Sequence, residues 1–481
     1  MINLQVNNNK IHQTFTMVIL AKKFRKSNPA DLSFPAPDAH QMKLFPVNGK
    51  RVEASFSGEH ISSDGGLLLL REVENKTGLL RNFAAAIRDA RNQSYVKHSL
   101  YELVCQRVYQ IACGYEDGND CTDLNGDGVF KMCVGRLPES DPDLGSQATM
   151  CRFENAVNRG DLYRISKVLA THFINSYGDK APSVIVLDCD DTNHNAHGEQ
   201  LQIEYNHYYG EYCYMPLHIY EGISGKLITS ILKPGRRSKG ICVYAILRRV
   251  VAFLRAHWEN TRIIIRGDSH FCSPDLMDWV KGQENVHFVT GLTGNKKLQR
   301  LVQPKVNDAK ALYAKTGEKV KLYTEFEYQA ASWKHPQRVV AKVEYGEKGS
   351  NVRFIVSDFA TCARKYLYKK IYCARGKMEL YIKDHKVHLK SDRSSCNSFE
   401  ANQMRLFLHS AAYVLIHTLQ KEVLRGTEFA NSTMKTIQLK VLKVATKVRE
   451  LKHKIKIIFP ACTPGKKAIE KGFEIMRALS G

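Results

Sequence analysis

No run of ~18 apolar residues occurs anywhere in the chain, so no membrane-spanning helix is expected. The early stretch TFTMVILAKKFRK is apolar only briefly, with no signal-peptide layout and no small-residue cleavage site. Thirteen cysteines are present, but they are scattered, odd in number and never spaced C-x-x-C. That argues against a disulfide framework or a Cys-rich zinc module and points to reduced thiols in a cytosolic protein. Internal repeats and low-complexity tracts are also missing. Acid is in short supply: 48 Asp+Glu face 71 Lys+Arg, a net charge of +23. A surplus that large points to a polyanionic partner, with nucleic acid favoured over a membrane surface.

The 481 residues allow about three domains. Residues 1–45 are polar with Pro29, Pro35 and Pro37, as expected of a flexible extension, and Met17 and Met42 leave room for a later translation start. Helical patterns dominate from 46 to 160. Within them, Ser146 followed by QATMCRFEN reads either as a recognition helix or as an ordinary surface helix. From Ser183 the period changes. SVIVLDCD, EYCYMPLHIY and GKLITSIL read as strands, KGICVYAILRRVVAFLRAHW as an amphipathic helix, RIIIRGDSH as a strand, SPDLMDWVKG as a helix and NVHFVTG as a strand. Residues 161–400 thus predict an α/β catalytic domain of RNase H-like layout. A β-rich, irregular insertion is expected at about 291–367. Residues 401–481 carry 15 Lys+Arg against 5 Asp+Glu and predict a basic helical region, with Val441, Val444, Val448, Leu451 and Ile455 on one stripe.

Tyr372, Arg375, Glu379 and Lys386 carry the most specific chemistry. Their spacing, Y-(2)-R-(3)-E-(6)-K, places all four within a ~60° arc of a helix. A face holding an acid between two cations and a phenol suits phosphates and a divalent metal better than a core. Two strand-end acids complete the set. Asp190 ends an apolar strand and precedes Asp191-Thr192, with Asp188 on the same face as the reserve ligand and Asp191 expected on the other face. Asp268 follows Ile263–Ile265 and Gly267, where a buried parallel strand delivers its carboxylate to the sheet edge. Three carboxylates without a Cys/His cluster specify a hard, oxygen-ligated ion, Mg²⁺ or Mn²⁺. Arg236 and Arg237, in the basic loop PGRRSKG, are candidate phosphate contacts. DLNGDG at 123–128 imitates a calcium loop but has Val134 where the bidentate Glu belongs. His194 and His197 lack the further ligands that zinc needs.

With these residues in view, the chain resembles the DDE transposases of bacterial insertion sequences, in the group named for insertion sequence 1380. SDGGLLLLREVE, SQATMCRFEN, LDCDDTNHNAHGEQ, RGDSHF, the Y-R-E-K helix and SCNSFEANQMRLFLHSAAY carry the likeness, from about Val52 to about Ala412. One departure is Asn193-His194-Asn195, where a more acidic run is expected. The resemblance implies an RNase H-like core with a β-rich insertion and an N-terminal domain that binds terminal inverted repeats. It implies cut-and-paste DNA movement with two Mg²⁺ held by Asp190, Asp268 and Glu379. The partners expected are double-stranded DNA, as element ends and target, and a second copy of the chain in the DNA complex. The expected location is the bacterial cytoplasm, at the nucleoid. Two alternatives stay open: a metal nuclease that cuts without joining, and an inactive DNA-binding descendant of a transposase.

Overall fold

The computed structural model describes residues 41–55, 60–196, 198–235 and 241–479. They fall into two units, one ending at Glu59 and one running from His60 onward. Most of the expected 1–45 extension lies outside the described residues. Its last residues belong to a strand, Gln41–Val47, paired antiparallel with Lys50–Ser55. Asn48 and Gly49 close that hairpin at φ 48° and 78°, a left-handed pair that Asn-Gly adopts readily.

The second unit is built around one mixed α/β sheet. Its strands are β1 (Val184–Asp191), β2 (Leu217–Glu221), β3 (Leu227–Ile231), β4 (Arg262–Gly267), β5 (Val286–Leu292), β6 (Val320–Tyr328), β7 (Gln337–Gly346) and β8 (Gly349–Ser357). Their order across the sheet is β6-β7-β8-β5-β4-β1-β2-β3. Neighbours β1, β4 and β5 run parallel, and every other pairing is antiparallel. The parallel strands are buried on both faces, which is why they read as continuous apolar runs. Helix Ile241–Arg255 connects β3 to β4. Helix Pro274–Lys281 connects β4 to β5, opened by Ser273, whose side chain accepts from Leu276 N, and by Pro274 in its first turn.

The elements depart from the sequence reading in three places. EYCYMPLHIY is two strands, because Pro216 cannot continue the ladder. Glu211–Tyr214 joins a small sheet with His194–Asn195 and Glu204–Asn206, while Leu217–Glu221 enters the main one. The segment expected to be irregular at about 291–367 contains a 21-residue helix, Lys296–Thr316, with Pro304 inside it. Its strands then extend the central sheet from the β5 edge. The third correction concerns the basic helical region expected at 401–481. Thr446–Leu451 and Lys454–Ile458 form a β-hairpin, with Ile61–Ser62 as a third strand. Alternation of Thr446 and Val448 with Lys447 and Arg449 fits a period of two as well as a helical stripe. The deciding partner lies far away in sequence.

The helices of the first third do not form a compact unit of their own. Residues 60–481 are one unit, and Phe399–Thr418 is its pillar. That helix is buried along nearly its whole length and packs against helices Leu100–Ala112 and Arg159–Asn175 and against β3. Its polar residues are satisfied across the contact. Gln403 accepts from Leu232 N at 2.6 Å and donates to Ser230 O at 3.2 Å, which fixes the helical region to the sheet.

Asp127 settles the DLNGDG stretch. It caps helix Gly128–Cys133 by accepting from Val129 N and Phe130 N at 2.8 and 3.1 Å. Among the described residues, no helix is long and apolar enough to cross a membrane.

Candidate active site at the sheet edge

β1 and β4 are parallel neighbours with Asp188 opposite Arg266. Carried two residues on, that register sets Asp190 beside Asp268 at the edge where both strands end. Asp190 is half-buried, and its Oδ2 accepts from Arg375 Nη1 at 2.9 Å. Burial raises its carboxyl to about 6; Arg375 pulls it down and the Asp268 charge pushes it up. Asp268 caps the turn that follows it, accepting from His270 N at 2.8 Å. His270 Nδ1 also lies 3.0 Å from its Oδ2. Burial acts to raise the Asp268 carboxyl, but the two His270 hydrogen bonds and nearby cations hold it below its ordinary range.

The neighbouring acids are committed elsewhere. Asp188 is fully buried and gripped by Arg266, with Nε to Oδ1 at 2.5 Å and Nη2 to Oδ2 at 2.7 Å. Arg266 also donates through Nη1 to the carbonyl of Ile371, which pins the sheet to the helix carrying Tyr372. Gly222 leaves room for this pair, since a Cβ there would lie 2.4 Å from Asp188 Oδ2. Asp191 bonds Lys233 Nζ at 2.8 Å.

The Y-R-E-K segment is helical throughout but not uniform. Wide π-type turns at Leu367–Tyr372 and Asp384–His388 flank a tighter turn at Cys373–Lys377 and an α-helical turn at Met378–Lys383. Each change shifts the angular phase, and wide turns of this kind gather at functional sites. Arg375 reaches Asp190. Lys386 Nζ reaches the end of β1, bonding Asn193 O at 2.5 Å and Asn193 Oδ1 at 2.9 Å. Tyr372 comes up to the Asp268 turn. A Cβ on Gly291 would lie 2.9 Å from Tyr372 Oη and 2.8 Å from Ser269 N, so glycine allows that approach. Burial and then Asp268 raise the Tyr372 phenol, with Arg375 opposing them. Glu379 is exposed to solvent. Among the described residues, no three His, Cys, Asp or Glu side chains stand close enough together to hold a metal.

Arg236, Arg237 and His197 lie outside the described residues. His194 is buried, its Nδ1 3.3 Å from Ser394 Oγ. Helix Gln147–Asn155 buries Met150, Phe153 and Glu154 and exposes Gln147, Cys151, Arg152 and Asn155. Three residues at the site escaped the sequence reading. His270 had a signal, standing two residues after Asp268, whereas Arg266 and Lys233 had none.

A search of curated proteins finds no match. Among solved structures, a piggyBac transposase in a synaptic complex with hairpin DNA, determined by cryo-EM, matches 80% of this chain and 82% of its own. Its identity is 11% and its TM-score 0.41, too loose an overlap to bear on the site. The family model described as transposase DDE domain group 1 matches residues 44–481. That match takes in nearly the whole chain, and with it both strand-end acids and the Y-R-E-K helix; the chain belongs to the group 1 DDE transposase family.

Proposed function

We propose that this DNA transposase cuts and joins DNA at the edge where β1 and β4 end, with Asp190, Asp268 and Glu379 as its acids. The observation that carries the reading is the juxtaposition of Asp190 and Asp268 at the ends of adjacent parallel strands, with Arg375 bonded to Asp190. The order β3-β2-β1-β4-β5, antiparallel first and parallel after, supports an RNase H-like core. The motifs quoted above favour the insertion sequence 1380 group, bacterial in origin, with terminal inverted repeats as substrate and a homodimer as the working assembly. The exposed face of Gln147–Asn155 is a candidate reader of those repeats, because phosphate contacts alone carry no sequence information.

The donor set suits a hard divalent cation. Asp190 and Asp268 offer carboxylate oxygens side by side at a half-buried edge, where their mutual repulsion favours a cation between them. These two would hold Mg²⁺ or Mn²⁺, and the Y-R-E-K spacing names Glu379 as the third ligand. When bound, a pair of such ions supplies an activated water or 3′-hydroxyl and stabilises the leaving oxygen.

The chain's own residues do the positioning. Arg375 presents a planar guanidinium at the Asp190 edge, able to grip two oxygens of one phosphate. Lys386 holds the β1 end through Asn193 and leaves a cation beside the strand's path. Tyr372 offers a hydroxyl next to the Asp268 turn. His270 orients the Asp268 carboxylate.

The test is an in vitro reaction on a plasmid carrying the DNA that flanks the gene, in Mg²⁺. Excised and joined products are expected, and none in EDTA. Cleavage without any joined product would support a plain nuclease instead. Unchanged cutting in EDTA would overturn the metal mechanism.

A further inference from the structure

Residues 204–214 form a hairpin beside the end of β1. Glu204–Asn206 pairs with Glu211–Tyr214, which pairs in turn with His194–Asn195, just past Asp191. One face of the hairpin is fixed. Cys213 is buried, and Asn206 Nδ2 donates to Gly235 O at 2.8 Å. A Cβ on Gly235 would lie 2.1 Å from Cys213 O, so the chains touch there. The other face carries Tyr205 opposite Tyr212, their rings edge to face at 5.4 Å. The tip adds Tyr208 and Tyr209, edge to face at 4.9 Å. All four rings are exposed, Tyr208 by 76% and Tyr212 by 59%.

The composition narrows what such a surface suits. Residues 204–214 contain no Leu, Ile, Val, Phe or Met, so the rings are not the rim of an apolar protein interface. The hairpin also has Glu204 and Glu211 but no Lys or Arg. It therefore has nothing to attract a phosphate backbone, and its ring faces are left for flat aromatic groups. It is also tied to the active edge. Glu211 accepts from Asn193 Nδ2 at 2.6 Å and from Asn195 Nδ2 at 2.8 Å. Asn193 is the residue that Lys386 holds.

We propose that the 204–214 hairpin is a stacking platform for unpaired nucleobases of the DNA being processed at Asp190 and Asp268. It rests on the reading of this edge as the site of DNA cleavage and joining. Duplex bases are stacked on each other and cannot use it. Bases released at a cut or distorted end can, and the link through Asn193 and Lys386 keeps them in register with the scissile phosphate.

The test uses the full chain and two probes, a short oligothymidylate and a duplex of the same length, with affinity read by fluorescence anisotropy. The double variant Tyr208→Ala/Tyr212→Ala should lose about tenfold or more in single-strand affinity, the size expected for one or two lost base–ring stacks. Duplex affinity should change by less than about twofold. The matching Phe variant should retain single-strand affinity, since stacking uses the ring and not the hydroxyl. The rings are exposed, so thermal melting should match the parent. Equal losses on both probes, a Phe variant as weak as the Ala variant, or a changed oligomeric state in place of a changed affinity would each overturn the platform. A parent that binds neither probe would instead overturn the DNA reading of the site itself.

Discussion

Arg375 and Asp190 stand 185 residues apart in sequence and meet at 2.9 Å. Their ion pair closes the helix bearing Tyr372, Glu379 and Lys386 onto the end of β1. It also separates two kinds of acid on that strand. Asp190 opens toward the edge, whereas Asp188, two residues earlier on the same face, is sealed against Arg266.

That difference predicts opposite outcomes for Asp188→Asn and Asp190→Asn. Removing the Asp188 charge leaves the Arg266 guanidinium buried without its partner, a loss of about 3–5 kcal/mol. The denaturation midpoint should fall clearly. Asp190→Asn should leave the midpoint near that of the parent, because Arg375 can turn to solvent, while cleavage is abolished. Denaturant melts beside a cleavage assay decide it. A cutting Asp190→Asn protein would remove Asp190 from the site.

Stability should fall in mild acid. Burial lowers His172 and His417 to about 4 and His218 to about 3, and pushes His194, His385 and His409 well below 6.5. Between about 6.5 and 4 the unfolded chain binds protons on these six that the folded chain does not, so stability is lost as pH drops. Glu74, raised by burial to about 7, and Asp190, raised to about 6, work the other way. At ~1.4 kcal/mol per proton per pH unit, six sites outweigh two. The melting temperature should therefore drop from pH 7 to pH 5, and less steeply in His417→Gln. A flat or rising profile would contradict this.

How legible the site was follows from what local sequence encodes. Asp190 and Asp268 could be found because an apolar strand that ends in an acid leaves a mark in a few consecutive residues. Y-R-E-K is equally local. The partners of these residues are not. Arg266 looks like any strand cation until β4 lies beside β1, and nothing near Lys386 points to Asn193. The phase shifts of the wide turns around Tyr372 and Asp384 leave no composition signal either, so the shared arc expected for the four residues did not place Glu379 beside the aspartates. The hairpin at 446–458 was misread for a related reason: its third strand, Ile61–Ser62, comes from the other end of the chain.

The same long-range contact explains the Gly65-Gly66 pair. Gly65 N donates to Val444 O at 2.8 Å and Gly66 N to Leu442 O at 3.1 Å. A Cβ on Gly66 would lie 1.7 Å from Val441 O, a backbone atom that cannot step aside. Gly66→Ala should cost at least about 1–3 kcal/mol, read as a lower urea midpoint. Gly376→Ala is the control. It sits in a helical turn with nothing within 4 Å of the added carbon, and should be neutral or stabilising by up to ~1 kcal/mol. Equal midpoints for the two variants would show that the close approach at Gly66 relaxes freely.

Arg375 and Lys386 should matter more to chemistry than to affinity. The chain carries 71 Lys and Arg, so removing one of them changes total phosphate attraction little. Each nevertheless fixes an element of the active edge, Arg375 through Asp190 and Lys386 through Asn193. A shift of ~1 Å at the scissile phosphate can cost ~100-fold in rate. Arg375→Ala and Lys386→Met should thus lower single-turnover cleavage by about tenfold to a hundredfold, with duplex affinity reduced by no more than a few-fold. Arg375→Lys should rescue only in part, because an ammonium lacks the planar fork that meets two oxygens at once. Gel-shift affinity beside single-turnover rates on one duplex makes the comparison. Losses of equal proportion in both would reduce these two cations to general DNA attraction and leave the chemistry to the acids alone.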